Sequence, residues 1–445
     1  MAERLGTVLD NLLLNDYQPR LRKQIERGTV LFQILEKRKI NATGRKAVIG
    51  LQFSYSWGTH SATRGDVNLP TPQSRDIRQA DIELKRFVVS ICVDRALLKS
   101  GTGSGAFEDE LKSLYDTVEA TARIKLGQES YNDGTGVLAT LRAVAGPGVG
   151  VVVSVDNAQY MYVGMPIVFA TPPIAAPVFI EATTITAVDR TLNTVTCDLA
   201  VGAAQNDLIA LGESAGVNNF NGEMLGLLAG LSRTNTYLGL SRATFAEWRG
   251  IVYAEQALAP TPFAFREAGM KAIDSEIRKN KSVAAGAGFS SPYDYVLTSF
   301  EGHDALYNQR ITQQRFISSN GAKPMKLQAG FSEVDFRGVP VIADALCPNF
   351  NVVDATHYRH SFEGYTLDDG TGYATPQRYD IFFFINSEKW NWYNWDWLQW
   401  AQEGGSVLYR KQYPTRTDEY YADFEGYAEL ATDEARCQGM YICRT

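Results

Sequence analysis

Residues able to do chemistry are thinly spread along this 445-residue chain. It holds four histidines, and two of them, His357 and His360, stand three apart in HYRH. That spacing occurs in some metal sites, but no acidic or cysteine partner completes a recognisable ligand pattern beside it. The expectation is solvated or stacked imidazoles and no metal. Five cysteines, Cys92, Cys197, Cys347, Cys437 and Cys443, form no CxxC pair, so they are expected as reduced and mostly buried thiols. The glycine-rich GTGSGA at 101–106 precedes a helical pattern as a phosphate cradle would. No Walker lysine follows it, and the run before it ends in charged DRALLKS, so a hinge into a helix is expected, with Gly101, Gly103 and Gly105 as its flexible points. GPGVG at 146–150 reads as a second joint. Arg64-Gly65-Asp66 and Asn41-Ala42-Thr43 match an attachment tripeptide and a glycosylation acceptor. Both have meaning only in a secreted chain, and MAERLGTVLDNLLLNDYQPRLRKQ lacks the basic start, apolar core and cleavage site of a signal peptide.

The most distinctive composition is KWNWYNWDWLQW, where Trp390, Trp392, Trp395, Trp397 and Trp400 crowd around Tyr393. Indoles in such a run either stack on sugars or anchor a packed layer or subunit interface. Asp396 is a single carboxylate, and glycoside cleavage needs two. A packed layer with bonded indole nitrogens is therefore expected.

The elements that must position these residues follow from the hydrophobic pattern. In residues 1–45, Leu5, Val8 and Leu12, then Leu21, Ile25, Val30, Leu31, Ile34 and Leu35, recur at helical spacing. Pro19 and Gly28 break the pattern into short helices. This narrow apolar stripe has little local surface to cover it and calls for a neighbour. KAVIGLQFSYSW (46–57) and DIELKRFVVSICVDRA (from 81) read as the strands of a long hairpin. Between them, the tip at about 58–80 is almost free of large apolar side chains, a length of loop that signals a functional or disordered segment, either mobile or seated on another molecule. SGAFEDELKSLYDTVEATARIKLGQES predicts a helix over about 105–129, roughly 37 Å long, with Ser104 as N-cap. Its face is Phe107, Leu111, Leu114, Val118 and Ala122. Five short strands separated by turns fill 149–211 and predict a small β-barrel or sandwich at 146–213. Mixed helix and strand follow to 355, and the remainder to 445 is β-rich and aromatic.

Length predicts two or three domains. A 45% hydrophobic and 21% charged composition is globular, and no stretch is long and apolar enough to span a membrane. The formal net charge of −7 disfavours a grip on nucleic-acid phosphates and suits a wall that does not adhere to them.

The order of these parts, with four short phrases, resembles the major capsid proteins of tailed bacteriophages. Arg64-Gly65-Asp66-Val67-Asn68-Leu69-Pro70-Thr71 resembles their charged hairpin tip. Asn132-Asp133-Gly134-Thr135-Gly136 resembles the turn after their long helix. TYLGLSRATFAEWR (236–249) is similar to a G-x-x-R-A-T-x-x-W-R segment, and FRGVPVIAD (336–344) to a strand with G-x-P-V-x-x-D. The resemblance implies an α+β chain with the Hong Kong 97-like capsid fold. It implies an N-terminal helical arm at 1–45 and an extended-loop hairpin (E-loop) at 46–95. A peripheral (P) domain at 96–145 would hold the long spine helix, an inserted β domain would occupy 146–213, and an axial (A) domain 214–355. Peripheral strands returning to the axial domain would fill 356–445. It further implies pentamers and hexamers of this chain closing an icosahedral head around double-stranded DNA. A separate scaffolding protein, a portal and a decoration protein are the partners implied, with assembly in the bacterial cytoplasm and residence in the virion. No enzyme activity, cofactor or metal is implied, and no Lys–Asn cross-link set falls on matching motifs. Candidate inter-subunit contacts are Arg64, Asp66, Leu69 and Arg75 on the loop, and Leu21, Ile25, Leu31 and Leu35 on the arm. The alternatives are an encapsulin-like nanocompartment shell and, in another class, a carbohydrate-binding protein using Trp390–Trp400.

Overall fold

The computed structural model describes residues 18–39, 46–52, 76–94, 104–144, 151–198, 202–255, 264–284, 293–317, 334–352, 357–359, 361–367, 377–395, 398–402, 407 and 419–444. The predicted long helix is present as Ser104–Tyr131, 28 residues and so about 42 Å. It starts at Ser104 itself, so Ser104 lies within the helix and not ahead of it as a cap. Gly105 is likewise helical, and Gly101 and Gly103 lie outside the described residues. Val118, Ala122 and Leu126, at four-residue steps, are fully buried and form the inner face.

That face meets two layers. On one side is the arm, a helix at Gln18–Gly28 and a short one at Val30–Ile34. On the other is a five-stranded sheet centred on the long strand Glu419–Thr432. One edge of the long strand pairs antiparallel with Lys85–Asp94, from Glu419↔Asp94 to Ala428↔Lys85. The other edge takes the Trp-rich strands Trp390–Asn394 and Gln399–Trp400. Arm residues Glu36–Lys39 then add a parallel strand beyond Trp390–Asn394. Expected arm contacts Leu21, Ile25, Leu31 and Leu35 are 0–5% exposed and belong to this chain's own core, together with Val118, Trp390 and Trp392. Phe32 packs edge-on against Trp392 at a ring distance of 4.2 Å. The expectation that these four side chains need a neighbour to cover them is therefore corrected. The sheet and the long helix, distant in sequence, supply the missing surface.

The hairpin is also present, with a different second strand. Lys46–Gln52 pairs with Ile77–Glu83, in register Lys46↔Glu83 to Gln52↔Ile77. The chain then crosses at Leu84 into Lys85–Asp94 of the large sheet. What reads as one strand from 81 is thus two, and part of the predicted tip is strand.

The β insert closes into a barrel. Leu208–Ser214 pairs with Val137–Val144 on one side and with Pro166–Thr171 on the other. Val151–Val155, Thr194–Cys197 and Val178–Asp189 complete the circuit. Val137–Val144, inside the span expected for the peripheral domain (96–145), is a barrel stave. Val153, Phe169, Ile185 and Ile209 fill the interior, 0–1% exposed. The third sheet has seven strands, built on Gln377–Ile385 between Gly439–Arg444 and Tyr295–Thr298. Helices Glu267–Ala284 and Phe300–Ile317 pack against it. FRGVP is a hairpin turn here, since Arg337 and Gly338 both have positive φ (52° and 82°), the pairing that a two-residue hairpin turn requires.

Candidate functional site

The segment 236–249 condenses into a buried knot. Arg242 is 0% exposed, and its guanidinium donates to the carbonyls of Trp248 (3.0 Å), Ala229 (2.5 Å) and Gly230 (2.6 Å). It also lies over the Tyr237 ring at 4.6 Å. Trp248 donates its indole N–H to Tyr237 O at 3.3 Å, and Arg249 donates to the carbonyls of Arg242 and Ala243. Donors spread over the three nitrogens of a planar fork hold three separate carbonyls at once. Burial pushes the Arg242 pKa down to about 10, leaving it charged at neutral pH. One face of the hairpin rests on this knot: Ala47, Leu51, Ala80 and Ile82 pack with Tyr237, Leu238 and Trp248. The other face carries Val48 and Ile77, 57% and 60% exposed.

The turn at 132–136 ends the long helix as its composition requires. Gly134 and Gly136 have φ of +81° and +73°, and Asp133 accepts from the Thr135 N–H at 3.1 Å. A Cβ on Gly136 would strike the backbone of Asn219, so the turn and the barrel's exit segment are in direct backbone contact.

A second polar seam binds the barrel to the body. Asp156 accepts from the N–H groups of Thr140 and Asn157 at 2.8 Å each, and from His357 Nε2 at 2.7 Å. His357 Nδ1 accepts the Arg359 N–H at 3.1 Å, which places the ring proton on Nε2. Asn157, Gln159 and Tyr160 reach Asn349, Ala345 and Leu346 from the same loop. His357 is buried and bonded, with its ring 5.2 Å from that of Tyr358, so of the expected solvated or stacked imidazole it is not the solvated one, and His360 lies outside the described residues. No cluster of metal-ligating side chains occurs among the described residues.

A third junction holds charge. Lys125 and Glu129, one turn apart on the long helix, meet Glu223 on the segment leaving the barrel. Burial raises Glu129 to about 7, and Lys125 opposes that rise. Burial acts against the charge on Lys125, but the Glu223 and Glu129 carboxylates hold its pKa above the ordinary value. Beside them runs an open groove of about 1530 Å³ between the long helix, strand 85–94 and barrel loop 160–166, rimmed by Val88, Val163 and Val217.

The Trp run is mainly a packed layer. Trp390, Trp392 and Trp400 are at most 2% exposed, and Trp390 donates its indole N–H to Gln438. Trp395 is 46% exposed, whereas Asp396 and Trp397 lie outside the described residues. One exposed ring does not make the expected alternative, a sugar platform. The four expected loop contacts, Arg64, Asp66, Leu69 and Arg75, lie outside the described residues. Cys197, Cys347, Cys437 and Cys443 are buried free thiols, and Cys92 is exposed. Sequence reasoning quoted the Arg242 and Asp133 segments but missed the Asp156–His357 pair, whose members stand 201 positions apart with no local signal.

No family model matches the chain, and no curated protein matches it. Among solved structures it is similar to the capsid asymmetric unit of cyanophage A-1(L), with 15% identity, 94% of this chain and 92% of that one covered, and a TM-score of 0.49. The capsid of Myoviridae phage XM1 follows at 8% identity, 93% and 90% coverage and a TM-score of 0.41. The SrpI encapsulin complex from Synechococcus elongatus PCC 7942 is similar at 10% identity, 92% and 85% coverage and a TM-score of 0.39. None of the three reaches a TM-score of 0.5.

Proposed function

We propose that this chain is the major structural subunit of a tailed-phage head, with the Hong Kong 97-like fold, assembling as pentamers and hexamers into a closed icosahedral shell around double-stranded DNA. The observation that carries the reading is the hairpin. Its strands pair only with each other among the described residues, one face is seated on the Arg242 knot, and the other leaves Val48 and Ile77 bare. A two-stranded ribbon is marginal alone, so a second covering surface from a neighbouring copy would complete it. The order of long helix, inserted barrel and aromatic sheet supports the same reading. So do the roles of the phrases at 132–136, 236–249 and 336–344 as turns or braces that hold rigid parts together.

In this assignment the long helix and the Trp-layer sheet form the peripheral region, and the seven-stranded sheet forms the axial region. Arg64, Asp66, Leu69 and Arg75 remain proposed loop contacts. The arm would touch a neighbour through exposed Arg20, Lys23 and Gln24, since its leucines are already covered. A scaffolding protein, a portal and a decoration protein complete the proposed partners, with assembly in the host cytoplasm and no enzyme activity.

Electron microscopy of the purified chain, alone and with its scaffold, tests this. Closed icosahedral particles are expected, and particles from infected cells should contain DNA. A monomer under every condition refutes the shell, and closed particles enclosing protein cargo without DNA select the nanocompartment instead.

A further inference from the structure

The four residues Glu223–Gly226, where the chain returns from the barrel to the body, are held by charged side chains on two other elements. Leu225 donates its N–H to Glu429 Oε1 at 2.6 Å, and on the long helix Glu129 pairs with Lys125 at 3.5 Å. Glu223 pairs with Lys125 and accepts from Asn132 and Asn219 at 3.4 Å each. Gly226 sits so close to the end of the long helix that a Cβ would fall 2.5 Å from Glu129 O and 2.6 Å from Asn132 O. Lys125, Glu129, Glu223 and Glu429 are all buried, between 1% and 9% exposed.

With every group ionised this cluster would carry three negative charges against one positive, and a buried site does not hold such an excess. We propose that Lys125, Glu129, Glu223 and Glu429 form a proton-operated clamp that sets how tightly the barrel's exit segment is held to the long helix. Glu429 is the most buried of the three carboxyl groups, 1% exposed. Burial raises it well above the ordinary carboxylate range, and its Oε2 makes no hydrogen bond among the described residues. The other charged or titratable groups facing it are Lys85 and, across the sheet, Tyr237. Glu129 is the moving part. It borders the open groove together with Lys125, so protons reach it from solvent. Its folded pKa lies above its unfolded one, so closure is strongest below about pH 4.5, weakens as pH rises towards 7 and is level above that.

Hydrogen exchange of the full-length chain from pH 4.5 to 8, corrected for the intrinsic pH dependence of exchange, tests the clamp. Peptides covering 219–226 should lose protection on the order of a hundredfold between pH 4.5 and 7 and then level off. Glu129→Gln should remove that dependence, leaving the acid-level protection across the range. A flat wild-type profile, or a Glu129→Gln profile as steep as wild type, overturns the proposal. Should that variant fail to fold, the barrel peptides 151–171 of the wild-type chain decide. A change confined to 219–226 supports the clamp, and a parallel change in both regions overturns it. The test does not depend on whether the chain forms a shell.

Discussion

Replacing Arg242 by methionine isolates the knot beneath the hairpin. Three charge-assisted hydrogen bonds to carbonyls, at about 2 kcal/mol each, give a gross gain of about 6 kcal/mol. Against this stands the burial of the cation, seen in the fall of its pKa from 12.5 to about 10, which costs about 3 kcal/mol. Methionine restores some of the packing but leaves the carbonyls of Ala229, Gly230 and Trp248 without their donor, a penalty of about 1–3 kcal/mol for a buried group. The expected loss is therefore about 3–5 kcal/mol, in the range for breaking a buried charged network. Arg242→Lys should lose less, about 2–3 kcal/mol, because it keeps a charged donor but has a single nitrogen where the fork places three. Urea unfolding of the unassembled chain followed by tryptophan fluorescence measures this, and Trp248 lies within the knot. A loss below about 1 kcal/mol for Arg242→Met would refute the view that this guanidinium braces the hairpin's seat.

Four further substitutions probe other sites. Asp156→Asn keeps the acceptor for Thr140 and Asn157 but turns an amide N–H towards the protonated Nε2 of His357. A loss of about 2–3 kcal/mol in thermal unfolding is expected, with faster proteolysis at the barrel's edge. Gly230→Ala drives a methyl group into the Trp390 ring and should destabilise by about 1–3 kcal/mol, measured by chemical denaturation. Trp392→Ala should cost about 3–5 kcal/mol. Trp395→Ala should stay within about 1 kcal/mol and leave any glycan-array signal unchanged, so a signal that disappears with Trp395 would revive the sugar-binding reading.

The sequence carried the periodic elements well, because their signal is local. The long helix, the first hairpin strand and the barrel's run of short strands all announce themselves by spacing and turn residues. The arm was misjudged for a physical reason. Its leucines look unpartnered only when their neighbours along the chain are counted, and their partners are Trp390 and Trp392, more than 350 positions later. Val137–Val144 falls inside the 96–145 span that the resemblance implies for the peripheral domain, but its place is decided by pairing with Leu208–Ala210. Within the charged junction, Lys125 and Glu129 are legible as a one-turn pair, but Glu223 joins them only through the closure of the barrel. Polar contacts made across such distances leave no periodicity to read.

The closed barrel has one more implication. Val137, where the chain enters it, lies directly opposite Ala210, close to where the chain leaves, so the two ends are one strand spacing apart, about 5 Å. A short turn could bridge that gap without displacing the long helix or the large sheets. The barrel is thus inserted through adjacent ends, and removing it would leave His357 and Asn349 without the partners it supplies. Its place could be taken by a foreign domain whose termini lie equally close.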